Sequence, residues 1–167
     1  MILKTARMTL RPQALTDAQA LFAILGDADA MRFWGRPAIS RLSLVEDLLG
    51  EQQAAMAQGL CRYWTMIRNG ESIGSIDLSL IKGGSAEMGF LVRRDCWGDG
   101  LASEAVGAIV RHAFGPLALT RLAAVVQVAN LAACRVLEKN GFRRIENRTV
   151  AIASGEKREC AFYLLSR

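Results

Sequence analysis

Two short turns divide residues 62–92 into three consecutive segments, and this pattern restricts the fold more than any other part of the sequence. The first turn is Asn69-Gly70, a dipeptide typical of two-residue hairpins, and the second is Gly83-Gly84. The segments on either side are rich in apolar and β-branched residues: Arg62–Arg68, Ile73–Leu80 and Ala86–Val92. The sequence therefore predicts an antiparallel three-stranded meander in the middle of the chain.

A strand and two helices are predicted before this meander. Residues 3–11 have the pattern of a strand. Thr16 and Ser43 each precede a Gln or Glu by three residues, which is the spacing of a capping box at a helix start. The second of these helices is predicted to end at Gly59.

Two helices and three strands are predicted after the meander. One helix begins at about Leu101, and another begins at Asn130, a suitable N-cap residue. Residues 121–128 form an apolar run without alternation, which predicts a buried strand. Two final strands flank Ser154-Gly155. This order predicts an α+β fold with one mixed sheet of seven strands and helices on both faces.

Length and charge limit the classes of protein that fit. The 167 residues suffice for a single domain over residues 1–167, and a net charge of +5 is modest for a nucleic-acid-binding protein. No apolar run is long enough for a membrane span, and no apolar signal core is present, so a soluble cytoplasmic protein is expected. The four cysteines are widely spaced and there is one histidine, so no metal site and no disulfide are expected.

A glycine-rich stretch, CWGDGLASEA, follows the third strand of the meander and opens the next helix. Gly98, Gly100 and Ala102 occupy alternate positions, where small residues let a ligand approach the backbone. Free N–H groups and the helix dipole favour anions at such a point, so the stretch fits a phosphate-binding loop. It lacks the Gly-Lys-Ser/Thr of a Walker A loop and the βαβ context of a dinucleotide fingerprint. Spacing alone leaves a purely structural turn as the alternative.

Two longer segments carry a family resemblance. EMGFLVRRDCWGDGLASEAVGAIVRHAF, followed by RLAAVVQVANLAACRVLEKNGFRR, resembles the GNAT superfamily of acyl-CoA-dependent N-acetyltransferases. TARMTLRP and NGESIGSIDL extend the likeness over nearly the whole chain, and it is greatest to the RimJ/RimL branch of ribosomal-protein N-terminal acetyltransferases. The resemblance implies the acyl-CoA N-acyltransferase fold, a mostly antiparallel seven-stranded sheet, and acetyl-CoA as co-substrate.

The resemblance also implies which residues contact acetyl-CoA. The loop would bind the diphosphate through its backbone, the strand before it would pair with the pantetheine arm, and the start of the last helix would lie beside that arm. The implied residues are Phe90, Leu91, Val92, Trp97, Gly98, Asp99, Gly100, Leu101, Ala102, Ser103, Asn130, Ala133, Cys134 and Arg135.

Four of these positions carry particular expectations. The Leu91 N–H is expected to donate to the thioester oxygen in the transition state. Trp97 stands where the family usually has Arg or Gln, Ala133 where the branch commonly has Ser, and Leu137 where many members place a Tyr as general acid. Cys134 or a water could protonate the leaving thiolate, although a small buried cysteine is the alternative role.

The attacking amine must lose a proton, and a carboxylate is the natural base. Glu87, at the start of the strand expected to carry the oxyanion donor, is the first candidate, and Asp77 is the second. Edge salt bridging and simple solvent exposure are the respective alternatives. Glu104 is expected to be structural. Arg36 could meet an acidic acceptor or could be an ordinary surface arginine.

The resemblance, taken with these residues, implies direct transfer of acetyl from acetyl-CoA to a primary amine in a ternary complex. The acceptor is the N-terminus of a protein or a small molecule, and the enzyme is a monomer or homodimer without a membrane or specific nucleic-acid partner. Trp34, Tyr63 and Trp64 would shape the acceptor side or the core. A CoA-binding sensor without catalysis and a ribosome-associated module remain as alternatives.

Overall fold

The computed structural model describes residues 1–167, which form eight strands and five helices. The strands are β1 (Leu3–Lys4), β2 (Thr9–Pro12), β3 (Arg62–Arg68), β4 (Glu71–Lys82), β5 (Ser85–Val92), β6 (Arg121–Gln127), β7 (Arg143–Ala151) and β8 (Lys157–Ser166). The helices are α1 (Ala18–Leu25), α2 (Ala28–Met31), α3 (Leu42–Ala57), α4 (Leu101–Phe114) and α5 (Leu131–Lys139). None of these helices combines the length and the apolar character that a membrane crossing requires.

All eight strands belong to one mixed sheet, in the order β1-β2-β3-β4-β5-β6-β8-β7. Only β5 and β6 are parallel, and every other neighbouring pair is antiparallel. A core of 25 buried residues, including Ile76 and Ile109, joins the sheet to α4 and α5. A second core, including Leu21, Leu49 and Leu91, joins it to α1–α3. The predicted fold class, with helices on both faces of a mostly antiparallel sheet, is confirmed.

The strand count differs from the prediction of seven because residues 3–11 do not form one strand. The Thr5 N–H and hydroxyl both donate to the Met8 carbonyl at 2.9 Å, which turns the chain back on itself. The first strand is thereby split into β1 and β2, which pair with each other. The turn between them brings Arg7 to the first turn of α4, where it contacts the Glu104 carboxylate.

Both predicted turns of the meander are confirmed. Asn69 and Gly70 have φ angles of 51° and 84°, and Gly83-Gly84 is likewise left-handed. Positive φ at both central positions defines the hairpin turn whose twist matches that of the strands.

Neither predicted capping box forms. The Asp17 carboxylate accepts from the Ala14 N–H and the Thr65 hydroxyl, so a contact with β3 sets the first helix start. Arg41 is the N-cap of α3, no side chain caps it, and Ser43 lies inside the helix. The short helix α2 was not predicted.

Residues of β6 are not uniformly buried, contrary to the prediction for residues 121–128. Leu122 and Ala124 are buried, whereas Val125 is 37% exposed. One face of this strand is therefore packed and the other is open.

Candidate active site

A gap opens between β5 and β6 because the two strands are paired only where they begin. Their Cα partners are limited to residues 85–87 and 121–123. Beyond this point β5 stays paired with β4 as far as Val92, and β6 stays paired with β8 as far as Gln127. The facing edges therefore carry backbone N–H and C=O groups that lack strand partners, and an extended ligand with amide groups can pair with them.

The hydrogen-bond direction along β5 decides which N–H groups face this gap. The Arg93 N–H donates to the Ile73 carbonyl at 2.7 Å, on the β4 side, while the Val92 carbonyl points away from β4 and accepts from the Trp97 indole at 2.8 Å. A methyl group on Gly74 would lie 2.3 Å from the Leu91 carbonyl oxygen, so the backbone carbonyl of Leu91 also points toward β4. Since these directions alternate along a strand, the N–H groups of Phe90 and Val92 face the gap. The expectation that Leu91 donates there is wrong by one residue.

The loop after β5 leads directly into the N-terminus of α4. Gly98 and Gly100 have φ angles of 83° and 75°, and Gly100 is the N-cap. No side chain caps the helix, and its first backbone bond is from the Glu104 N–H to the Gly100 carbonyl. The N–H groups of residues 101–103 are therefore without helical partners. A Cβ at Gly98 would meet no atom within 4 Å, so the space beside the loop is open.

Side chains from outside hold this loop in place. The Arg7 guanidinium donates to the Glu104 carboxylate at 2.7 Å and to the Asp99 carbonyl at 2.8 Å. Arg68 forms an ion pair with the Asp99 carboxylate at 3.1 Å. The Asp99 carboxylate is thus engaged by Arg68 and does not cap α4. Glu104 has the structural role expected from the sequence.

Helix α5 follows β6 after a short connection. The Asn130 side chain accepts from the Ala133 N–H at 3.2 Å, so the predicted N-cap is confirmed. Cys134 is buried, whereas Arg135 is exposed and forms no ion pair. Ser103 of α4 accepts a hydrogen bond from Asn140 at 3.0 Å, which ties the start of α4 to the end of α5.

The position expected for a general acid carries no hydroxyl group. Leu137 is fully buried in the larger core. The Tyr163 hydroxyl lies near Cys134, but it donates to the Glu138 carboxylate at 2.9 Å. Burial raises the pKa of Tyr163 above its usual range, so this phenol is a poor proton donor.

A cavity of about 320 Å³ lies between the α1–α3 side and the sheet. Its helix side is mainly apolar, with Gln52 as a polar member, and includes Leu21, Leu25, Met31, Trp34, Leu48 and Leu49. Its sheet side is polar and includes Gln13, Tyr63, Ser75, Asp77, Ser79 and Glu87. Trp34 and Tyr63 therefore line this space, whereas Trp64 is 3% exposed and packs edge-on against His112 in the core.

Two carboxylates share the sheet side of this cavity. Burial raises the pKa of Asp77 to about 7, with the nearby Glu87 charge adding to the rise and the Ser79 hydroxyl opposing it. Burial also raises the pKa of Glu87. A carboxylate that titrates near neutrality can accept a proton efficiently at physiological pH. Both sequence candidates for the base thus lie in one cavity, and the pKa of Asp77, at about 7, suits a base that acts near neutral pH.

Gly89 was missed by the sequence analysis although it faces Asp77 across the β4–β5 pair. A Cβ at Gly89 would lie 2.7 Å from the nearest Asp77 carboxylate oxygen. Ser75, Ser79 and Gln13 were also missed. Ser75 and Ser79 alternate with Asp77 along β4 and therefore share its face, which the sequence alone could have shown, whereas no sequence signal places Gln13 there.

Gly89→Ala should displace the Asp77 carboxylate and lower kcat by about 10- to 100-fold, because small misplacements of reacting groups are costly. The affinity for the ligand of the α4 loop should not change. The matched control is Gly50→Ala, since a Cβ at Gly50 meets nothing within 4 Å. Steady-state kinetics of both variants test this expectation, and an unaltered kcat for Gly89→Ala would contradict it.

Comparison with known proteins gives one family. The family model described as acetyltransferase (GNAT) domain matches residues 7–143. Among curated proteins, the uncharacterized N-acetyltransferase YoaA of Bacillus subtilis (strain 168) is 30% identical over 147 residues, which cover 86% of this chain and 83% of YoaA.

Solved structures of two acetyltransferases share the fold at low identity. RimL, a ribosomal L7/L12 alpha-N-protein acetyltransferase in complex with coenzyme A, has a TM-score of 0.89 and 17% identity, covering 99% of this chain and 98% of RimL. The spermidine N-acetyltransferase from Vibrio cholerae, in complex with CoA and spermine, has a TM-score of 0.85 and 18% identity, covering 96% of each chain.

Proposed function

Because this chain belongs to the GNAT acetyltransferase family, we propose that it transfers the acetyl group of acetyl-CoA directly to a primary amine in the cavity beside β4 and β5. An N-acetyltransferase of this type needs adjacent binding sites for a thioester and an amine. The gap between β5 and β6 and the cavity both border β5, which supports this arrangement.

The α4 loop and the gap are proposed to bind acetyl-CoA. The free N–H groups of residues 101–103 and the dipole of α4 suit a diphosphate, and the open space at Gly98 leaves room for it. The unpaired edge of β5 suits the amides of a pantetheine arm. The Phe90 and Val92 N–H groups are candidates for the donor that stabilises the thioester oxyanion.

The proposed reaction is a direct attack by the amine nitrogen on the thioester carbonyl. Asp77 first takes one proton from the bound ammonium, and the neutral amine then forms the C–N bond, which gives a tetrahedral intermediate with a cationic nitrogen and an oxyanion. When this intermediate collapses, the carbonyl re-forms, the C–S bond breaks, CoA leaves as a thiolate, and the remaining proton of the cationic nitrogen passes to that thiolate. Because a thiol has a pKa of about 8.5, this leaving group needs little help from a general acid. The buried Leu137 is compatible with such a mechanism.

The observation that carries the proposal is the presence of Asp77, with a pKa of about 7, in the cavity that borders β5. An attacking amine is protonated at neutral pH and requires a base of this strength. Burial is the main cause of the raised pKa of Asp77, and the Glu87 charge adds a smaller contribution to it.

Initial rates measured over a matrix of acetyl-CoA and amine concentrations test the direct route. Transfer within a ternary complex predicts double-reciprocal lines that intersect. It also predicts that the protein retains no label after incubation with [¹⁴C]acetyl-CoA in the absence of an amine. Parallel lines together with labelled protein would instead indicate an acetyl-enzyme intermediate and would contradict the proposal.

A further inference from the structure

Arg36 lines the acceptor cavity but has no partner within the protein. It is half-buried and forms no salt bridge or side-chain hydrogen bond. By contrast, Arg11, Arg68, Arg93 and Arg158 each pair with a carboxylate. Partial burial removes hydration from a guanidinium without supplying a compensating acceptor, so the site favours an anionic ligand.

The segment that carries Arg36 is fixed to the sheet side of the molecule. The Arg32 carbonyl accepts from Arg158 at 2.9 Å, and the Phe33 carbonyl accepts from the buried Gln127 at 2.8 Å. The Gly35 carbonyl accepts from the Ala153 N–H in the β7–β8 turn at 3.0 Å. These three hydrogen bonds hold the backbone just before Arg36, so the fold itself places Arg36 at the cavity.

The acidic and basic side chains of the cavity lie on different walls. Asp77 and Glu87 project from β4 and β5, whereas Arg36 belongs to the segment between α2 and α3. None of these carboxylates lies within ion-pair distance of Arg36. The apolar side chains of α1 and α3, together with Trp34, line the helix side of the cavity, where Gln52 is a neutral polar member.

We propose that the acceptor is a small amine that also carries a carboxylate and an apolar body, with its carboxylate bound by Arg36. This inference rests on the proposed amine acetylation and specifies its substrate class. The amine end fits the carboxylates of the sheet, the apolar body fits the helix side, and the planar guanidinium fork matches a carboxylate. The cavity is complementary in charge and polarity to such an amino acid.

Two matched pairs of acceptors test the proposal in steady-state assays. The first pair is 4-(aminomethyl)benzoate and benzylamine, and the second is phenylalanine and 2-phenylethylamine. Within each pair, the acid should have a kcat/KM at least about tenfold higher than the neutral amine, as expected for a charge-assisted contact. Arg36→Gln should reduce this ratio to near one, and Arg36→Lys should retain part of it. Arg41→Gln, at an exposed arginine nearby, should leave the ratio unaltered.

Calorimetric titration of the same compounds into the protein with CoA separates binding from transfer. Tighter binding of the acids that is lost in Arg36→Gln would support the inference even if no acetylation occurred, which would be a failure of the proposed function alone. Equal kcat/KM and equal affinity for acid and neutral amine would overturn the inference. A peptide such as Phe-Ala-Ala-amide that is acetylated faster than all four compounds would also overturn it, in favour of a protein N-terminus.

Discussion

Acetyl-CoA should raise the melting temperature of the wild-type protein but not that of Gly100→Arg. At a concentration of 100 times Kd, binding adds about 2.7 kcal/mol to the free energy of unfolding. This corresponds to an increase of about 5–10 °C for a chain of this size. The left-handed Gly100 is the N-cap of α4, and a Cβ there would lie 3.6 Å from the Arg7 guanidinium, so an arginine side chain should displace Arg7 and distort the loop that presents the free N–H groups. We expect the affinity for acetyl-CoA to fall by at least about 100-fold.

Gly59→Arg is the matched control for this substitution. Gly59 has the same φ of 75° and lies beyond the end of α3, where a Cβ meets no atom within 4 Å. Both variants therefore carry similar backbone strain, of about 1–2 kcal/mol, so the control accounts for that strain, and the response to ligand is judged against the melting temperature of each variant without ligand. Only Gly59→Arg should retain the response to acetyl-CoA. A full response in Gly100→Arg would show that the α4 loop does not bind the diphosphate.

Asp77→Asn should lower kcat by about 100-fold or more, which is the usual contribution of a general base. The amide keeps the shape of the side chain but cannot accept the proton. In the wild type, kcat/KM should rise with pH up to about 7 and then level off, because Asp77 must be ionised to act. This rise should be absent in Asp77→Asn. Asp47→Asn makes the same change at an exposed carboxylate of α3 and should leave the profile unaltered.

Glu87→Gln tests the coupling between the two carboxylates. The negative charge of Glu87 raises the pKa of Asp77, so its removal should shift the rising limb of the pH profile to lower pH. A loss of turnover in Glu87→Gln, with Asp77→Asn nearly fully active, would identify Glu87 as the base and contradict our assignment.

The locally determined parts of the fold were predictable from the sequence. Asn69-Gly70 and Gly83-Gly84 require positive φ, which few other residues adopt readily, and Asn130 caps its own helix. The capping boxes failed because helix starts also depend on distant partners. Asp17 is held by Thr65, which is 48 residues away in sequence. The split of the first strand likewise depends on the Thr5–Met8 turn, which no apolar pattern indicates.

The candidate site was predictable at the level of segments but less so at the level of atoms. The family motifs identified β5, the α4 loop and the start of α5. They did not determine which N–H groups of β5 face the gap, because a shift of one residue in the strand register reverses the side to which each N–H group points. The error at Leu91 is of this kind. The pKa of Asp77 depends on its burial, and the role proposed for Arg36 depends on its lack of a partner within the protein. Neither property can be derived without the three-dimensional structure.

Release of CoA thiol that depends on an amine tests the central claim most directly. The purified protein is incubated with acetyl-CoA and a panel of amines that includes the four compounds above and peptide N-termini. Thiol formation is followed with a chromogenic disulfide, and the product is identified by mass. We predict one acetamide for each thiol released, with the largest rate for an amine that carries a carboxylate. Stabilisation by acetyl-CoA without thiol release for any amine in the panel would contradict the account and would indicate a protein that binds CoA without catalysis.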